Sequence, residues 1–200
     1  RLCPSHFGQL IDFFGGRRDI KERAIRVLHN LSFVEDPSRI FRAIRFEQRY
    51  AFHLGKLTRK LIENAVKLDF LENLSGKRIF SEMMLLLNER DVTSVISRLN
   101  DFNLLKYVHP GISYDAQLNN IMHSIDDVLS WYELLYLDNR CEKWFVFFLG
   151  LIDRLTAQEA QELCTKCDVK KSYAVPIQVA KTAGSDILMK MAHKRRLKNS

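Results

Sequence analysis

Apolar side chains recur at helical spacing along most of this 200-residue chain. The pattern is clearest between Glu35 and Tyr50, where three apolar residues fall on one side of a helix that turns about 100° per residue. These residues are Ile40, Ala43 and Ile44. The stretch opens with Asp36 and Pro37, which is typical of a helix start, because the carboxylate accepts from free N–H groups and proline lacks one. We therefore predict a helix here with one buried face.

The same spacing predicts further helices over residues 19–30, 56–71, 77–88, 91–100, 119–137, 141–155 and 157–168, with one more after Val175. No segment alternates apolar and polar residues long enough to indicate a strand, so the predicted fold class is all-α. Pro110 and Gly111 form the clearest internal boundary. We divide the chain into a hinge region over 1–30, a helical domain over 31–110 and a second helical domain over 111–200.

Polar chemistry concentrates on the opposite face of the helix at 35–50. The arginines there are Arg39, Arg42, Arg45 and Arg49. Asp36 and Arg39 are three residues apart, which places a carboxylate beside a guanidinium. Such a pair can accept from the exocyclic amine of adenine or cytosine and donate to the neighbouring ring nitrogen, whereas guanine and uracil would leave both protein groups unpaired. On the residues alone, a capped helix with a solvated arginine row is the more common arrangement.

The positive charge of the chain lies in its first part. The formal net charge is +7, and residues 1–60 hold 13 Lys and Arg against 6 Asp and Glu, whereas residues 61–200 hold 18 of each. This excess favours a polyphosphate or nucleic-acid partner. A basic segment at 193–198, including Lys194, Arg195 and Arg196, is a weaker candidate for contact with RNA phosphates.

Other features exclude some classes of protein. The four cysteines show no disulfide framework, and the single CxxC at Cys164 and Cys167 lacks the second pair of a structural zinc site, so we predict reduced thiols and no metal. No apolar run reaches the roughly 18 residues of a membrane span. We expect a cytoplasmic protein, with an organellar location left open.

Three segments carry a resemblance to a known family. They are EDPSRIFRAIRF at 35–46, LIDFFGGRRDI at 10–20 and SGKRIFSEMM at 75–84. In this order they resemble the template motif, the hinge motif and the later helical motif of the class II tRNA nucleotidyltransferase and poly(A) polymerase family. The resemblance covers residues 8–110, and the remainder matches only as a helical tail. Phe13 stands where the family usually has proline.

The resemblance implies roles for individual residues. Asp36 and Arg39 would pair with the base of an incoming CTP or ATP, and Arg42 and Arg45 would contact the nucleotide beside Glu35 of the same motif. Gly15, Gly16 and Asp19 would form the hinge. Arg78 and Glu82 would support the template helix, although their i, i+4 spacing fits a simple surface pair equally well.

The family's catalytic carboxylates have no counterpart in this sequence. Nucleotidyl transfer needs Mg²⁺ held by an aspartate-x-aspartate pair, and the adjacent Asp126 and Asp127 would diverge by about 100° on a helix. The chain begins at Arg1 without an initiator methionine. The resemblance therefore predicts the neck and body of an RNA nucleotidyltransferase whose catalytic head precedes this segment and holds the Mg²⁺. ATP and CTP would be substrates of the full-length enzyme, and this chain alone is expected to be inactive and to bind neither nucleotide.

The predicted function is selection of CTP or ATP for addition to the 3′ end of tRNA, or for poly(A) addition, with the body binding the RNA. The alternative is a helical RNA-binding or scaffolding module without nucleotide specificity. Whether C, A or both are added, and the oligomeric state, stay open at this point.

Overall fold

The computed structural model describes residues 11–135 and 142–182 and consists almost entirely of helices. They are α1 Gly16–Lys21, α2 Ser32–Glu35, α3 Arg39–Tyr50, α4 Lys56–Lys67, α5 Gly76–Leu86, α6 Val92–Asp101, α7 Leu105–Val108, α8 Ala116–Glu133, α9 Lys143–Leu151, α10 Ala157–Lys166 and a helical segment α11 over 171–182. A 3-10 turn covers Phe70–Asn73. The all-α prediction is confirmed, apart from one short pair of strands.

The predicted helix over 19–30 is wrong. Helix α1 ends at Lys21, and the chain then passes through Arg23, whose φ of 52° belongs to the left-handed region. Strand β1, Ala24–Ile25, follows and pairs in parallel with strand β2, His53–Leu54. The apolar spacing predicted that Ile20 and Ala24 share the buried face of one helix. In the structure Ile20 is exposed, whereas Ala24 is buried beside α3. A distant pairing partner, brought close only by the fold, decided the local structure.

Helix α3 has the predicted buried face. Ile40 and Ile44 are fully buried and Ala43 is nearly so. The helix begins at Arg39, two residues later than Pro37, after a turn in which the Arg39 N–H donates to the Asp36 carbonyl. Phe41 and Glu47 are buried as well, because α3 packs between α5 and α6 and has two covered sides. The arginine face is what remains open.

A single hydrophobic cluster extends from Phe33 to Ile177 and includes residues on both sides of Gly111. Helix α9 links the two parts, since it packs on α8 and also on α5. Its Trp144 and Phe148 meet Phe80 of α5 in edge-to-face arrangements, with ring centroids 5.8 and 5.2 Å apart. Edge-to-face aromatic pairs stabilise a core beyond the area they bury. The helix that carries Arg78 and Glu82 is therefore held by the second half of the chain.

Gly76 lets the end of α10 approach the start of α5. A Cβ at this position would lie 2.4 Å from the Lys166 carbonyl oxygen. We expect Gly76→Ala to lower the free energy of unfolding by about 1–3 kcal/mol, the usual cost of overpacking against backbone, as measured by urea unfolding. Gly16→Ala is the matched control, because its Cβ would meet only the Asp12 carboxylate at 3.7 Å. Equal stability of the two variants would contradict this expectation.

Candidate functional site

Asp36 lies between α2 and α3 with its carboxylate fixed by three donors. Its Oδ1 accepts from the Ser38 N–H at 3.1 Å, the Ser38 hydroxyl at 2.6 Å and Arg78 Nη2 at 2.9 Å. Burial alone would raise the pKa of Asp36, but the Ser38 hydrogen bonds and the charges of Arg78 and Arg39 outweigh it, so the pKa lies below its ordinary value. The carboxylate is therefore ionised at neutral pH and held in one orientation.

Arg39 occupies the first turn of α3 beside this carboxylate. Its Nε lies 4.0 Å from Asp36 Oδ2, and its Nη1 donates to the Ser32 carbonyl at 3.2 Å and to Glu35 at 3.3 Å. Glu35 is also 3.5 Å from His29 Nε2. All three hydrogen bonds to the Asp36 side chain among the described residues end on Oδ1, which leaves Oδ2 facing the Arg39 side. The two groups present an acceptor and donors side by side.

Arg78 comes from α5, a different helix. The sequence left open whether Arg78 pairs with Glu82 along the helix surface or braces α3. The ion pair that the structure gives to Arg78 is with Asp36, 42 residues away, and its Nη2 also donates to the Ser38 hydroxyl at 3.3 Å. Helix α5 is capped at its N-terminus by Ser75, whose hydroxyl accepts from the Arg78 N–H. This cap places Arg78 in the first turn of the helix. These contacts match the second possibility, in which Arg78 supports the turn that leads into α3.

The remaining predicted residues lie along α3 and α5. Arg42 is exposed, whereas Arg45 is partly buried with its guanidinium carbon 5.1 Å from the Phe46 ring centre. Glu82 lies close enough to both arginines for their charges to act on it. Burial is the largest effect on Glu82 and raises its pKa, although Arg45, Arg42 and Arg78 oppose the rise. The structure thus brings Asp36, Arg39, Arg42, Arg45, Arg78 and Glu82 into one region.

Arg49, the last arginine of the row, serves a different purpose. Its Nε donates to Glu89 at 2.9 Å, and Glu89 is buried. On the covered side of α3, Glu47 accepts two hydrogen bonds from Arg98 of α6, at 2.7 and 2.8 Å, and one from the Leu54 N–H at 3.2 Å. These pairs fix α3 against its neighbours.

The predicted hinge residues surround α1. Gly15 has a φ of 73°, a left-handed conformation that glycine adopts without strain, and Gly16 begins the helix. The Asp12 side chain accepts from the N–H groups of Gly16 and Arg17, each at 2.9 Å. Asp19 forms an ion pair with Arg26. A helix with no buried residue is thus attached to the rest mainly through polar contacts.

Several residues that hold α3 and Asp36 in place were not among those predicted from the sequence. Ser38 could have been found, because an aspartate two residues before a serine is a common turn signal. Arg98 and Glu89 gave no signal, since their partners lie 40 to 51 residues away. Lys194, Arg195 and Arg196 lie outside the described residues.

Neither cysteine of the CxxC offers a ready metal ligand. Cys164 and Cys167 are buried free thiols, and burial raises the pKa of Cys167 to about 11. Among residues 11–135 and 142–182, no cluster of three histidines, cysteines or acids could hold a metal ion. In the same part of the chain, no helix is sufficiently long and apolar to cross a membrane.

The fold and site define a helical protein with a fixed Asp–Arg pair at one end of a basic helix face. A family model described as "Probable RNA and SrmB- binding site of polymerase A" matches residues 51–115. The chain is 42% identical over 97% of its length to an A-adding tRNA nucleotidyltransferase of Geobacter sulfurreducens, and 32% identical over 84% to one of Aquifex aeolicus. It belongs to the tRNA nucleotidyltransferase and poly(A) polymerase family.

Solved structures agree with this assignment. The chain superposes on the Thermotoga maritima CCA-adding enzyme complexed with tRNA with a TM-score of 0.79 and 31% identity, covering 96% of this chain and 46% of that one. A CCA-adding enzyme in complex with ATP gives the same TM-score and identity, with 45% of that chain covered. The present chain spans about a fifth of the two curated relatives and about half of these structures.

Proposed function

We propose that this chain is the base-selecting and RNA-holding part of a tRNA nucleotidyltransferase, and that Asp36 and Arg39 select the nucleotide. The observation that supports it is the anchored carboxylate. Three donors hold Asp36 Oδ1, and Oδ2 stays beside the Arg39 guanidinium. A template made of protein must hold its hydrogen-bonding groups in place before the base arrives, since a loose pair would adapt to any base.

The selection follows from hydrogen-bond polarity. Asp36 Oδ2 accepts from the exocyclic amine of adenine or cytosine, and Arg39 donates to the adjacent unprotonated ring nitrogen. Guanine and uracil carry a carbonyl and a ring N–H at these places, so each would oppose acceptor to acceptor and donor to donor. The lowered pKa of Asp36 keeps the carboxylate an acceptor throughout the neutral range.

Addition of A is the more specific form of this proposal. The two relatives matched over most of this chain are named A-adding tRNA nucleotidyltransferases. Two multifunctional CCA proteins match less of it: one from Neisseria gonorrhoeae is 35% identical over 52% of this chain, and one from Legionella pneumophila is 33% identical over 59%. The Asp–Arg pair accepts both bases, so restriction to A would come from parts of the site other than this pair.

The bond-making chemistry is proposed to reside outside the described residues. Mg²⁺, when bound by such an enzyme, stabilises charge on the transferring phosphate and activates the attacking hydroxyl. The described part of this chain offers no acidic cluster that fits the ion. Its own residues select the base and hold phosphates through Arg42 and Arg45.

The proposed location is the cytoplasm. Cys164 and Cys167 are buried free thiols, which supports a reducing compartment.

Base preference is the direct test. We expect the full-length enzyme that contains this chain to bind ATP and CTP about tenfold or more tightly than GTP and UTP, because each mismatched buried group costs about 1–3 kcal/mol. A two-dimensional NMR titration with the four nucleotides measures this even when binding is weak. Shifts should centre on the backbone of Asp36, Arg39 and Arg78. Equal affinity for all four nucleotides would contradict the proposal.

A helical RNA-binding module without base selection is the second candidate. It is supported by the family description for residues 51–115 and by the basic excess in the first sixty residues. In that case all four nucleotides would bind equally. RNA affinity would then fall steeply with salt, and the loss of any one phosphate-contacting cation would lower the salt slope by about one.

A further inference from the structure

In the proposed nucleotide site, two half-buried side chains of opposite charge each contain one buried polar atom without a hydrogen-bond partner. These atoms are Glu82 Oε2 on α5 and Arg45 Nε on α3, and each is unpartnered among the described residues. Buried polar atoms are normally hydrogen-bonded, so an orphaned pair needs an explanation. Of the charges that act on Glu82, that of Arg45 is the strongest. Helices α3 and α5 pack together, which is what brings the two side chains to the same region.

Glu82 lies among several charges on the elements around it. Arg45 and Arg42 come from α3, Arg78 from its own helix, and Asp36 from the turn before α3. The three arginines favour the ionised carboxylate, while burial and the Asp36 charge disfavour it. The net effect raises the pKa of Glu82, whereas the pKa of Asp36 is lowered. The environments of these two carboxylates shift their pKa values in opposite directions. Such a difference allows one carboxylate to exchange protons while the other stays charged.

We propose that Glu82 is the counter-charge of Arg42 and Arg45 in the nucleotide-free protein, and that it takes up a proton when the phosphates of a nucleotide bind these arginines. This inference rests on the proposed function, because it assigns the phosphates to that arginine pair. Bound phosphate withdraws the stabilising influence of the two guanidinium groups from Glu82 and adds negative charge nearby. Both effects favour the neutral carboxylic acid.

The proposal makes phosphate affinity depend on pH. Binding and protonation are linked, so a ligand that promotes protonation of Glu82 must itself bind more tightly once Glu82 is protonated. Affinity is therefore expected to rise as pH falls through the raised pKa of Glu82. Asp36 remains ionised over that interval, so the choice of base stays the same while the strength of phosphate binding changes.

Calorimetric titration with ATP tests this directly. Heats measured in two buffers of different ionisation enthalpy give the number of protons taken up on binding. We expect the wild-type full-length enzyme to take up a fraction of a proton more than its Glu82→Gln variant, and this variant to bind ATP about fivefold or more tightly at pH 8, a typical size for coupling between sites. Taking the difference between the two proteins removes the titration of ATP itself.

Glu133→Gln is the control, because it removes the same charge from an exposed position at the end of α8. It should bind ATP and take up protons as the wild type does. Equal proton uptake by wild type and Glu82→Gln, or weaker ATP binding by Glu82→Gln, would overturn the proposal. Should the variant not fold, the chemical shift of the Glu82 side-chain carboxyl, followed by NMR against pH with and without ATP, decides the question, and a Glu82 pKa that ATP leaves unchanged would overturn the proposal.

Tripolyphosphate separates this inference from the proposed function. It has no base, so the linkage to Glu82 should persist with it, whether or not Asp36 and Arg39 select bases. If proton uptake accompanies tripolyphosphate binding but all four nucleotides bind equally, the counter-charge role of Glu82 is supported and base selection by Asp36 and Arg39 is contradicted. If the nucleotides are discriminated but no proton uptake depends on Glu82, base selection is supported and the role of Glu82 is contradicted.

Discussion

Asp36→Ala is expected to abolish the preference for ATP and CTP over GTP and UTP while leaving affinity for RNA nearly unchanged. The substitution removes the acceptor for the exocyclic amine and frees Arg39 and Arg78 from their common anchor. One lost hydrogen-bonding partner costs about 1–3 kcal/mol, so the ATP-to-GTP affinity ratio should fall by about 5- to 150-fold. Competition titration with the four nucleotides measures the ratio, and a tRNA titration measures the affinity that should persist.

Asp91→Ala provides the matched control for Asp36→Ala. Asp91 caps α6 with the same chemistry, since its carboxylate accepts from the Ser94 N–H at 2.9 Å and the Ser94 hydroxyl at 2.6 Å. Asp91→Ala should lose about 0.5–2 kcal/mol of stability through the missing cap of α6, whereas Asp36 precedes α3, whose N-cap residue is Ser38. Only Asp36→Ala should lose base preference. An unchanged ATP-to-GTP ratio in Asp36→Ala, or an equal loss in Asp91→Ala, would refute the template assignment.

Arg98→Ala is expected to cause a large loss of stability. Glu47 is buried and accepts two hydrogen bonds from Arg98, so removal of the guanidinium leaves an uncompensated charge inside the protein. Breaking such a pair costs about 3–5 kcal/mol. Because α3 packs on α6 through this pair, the proposed template helix would lose part of its support. Urea unfolding followed by circular dichroism measures the change.

Arg154→Ala tests whether burial is the cause. Arg154 pairs with Asp115 at 2.6 Å, but both side chains are substantially exposed, and exposed pairs contribute about 0–1 kcal/mol. The double variant Glu47→Gln, Arg98→Met should recover much of the loss, since no charge is then buried and the introduced amide oxygen can still accept from the Leu54 N–H. Similar losses for Arg98→Ala and Arg154→Ala would argue against this explanation.

The amino-acid sequence by itself determined the helical class, the buried face of α3 and the grouping of a carboxylate with arginines at its start. These properties are local, because the 3.6-residue period and the Asp36–Pro37 signal operate within a few turns of one helix. The three motifs carried the family assignment for the same reason. Position along a chain is enough when interacting groups are at most about four residues apart.

Only the tertiary structure decided which charged residues meet. Arg78 contacts Asp36 instead of Glu82, Arg49 compensates the buried Glu89, and Ala24–Ile25 forms a strand within a predicted helix. Each of these outcomes depends on partners far away in the sequence, which only the packing of α3 against α5, α6 and β2 brings within reach. Periodicity identifies the face of a helix that is buried, but the partner of a charged side chain is set by the geometry of the whole fold.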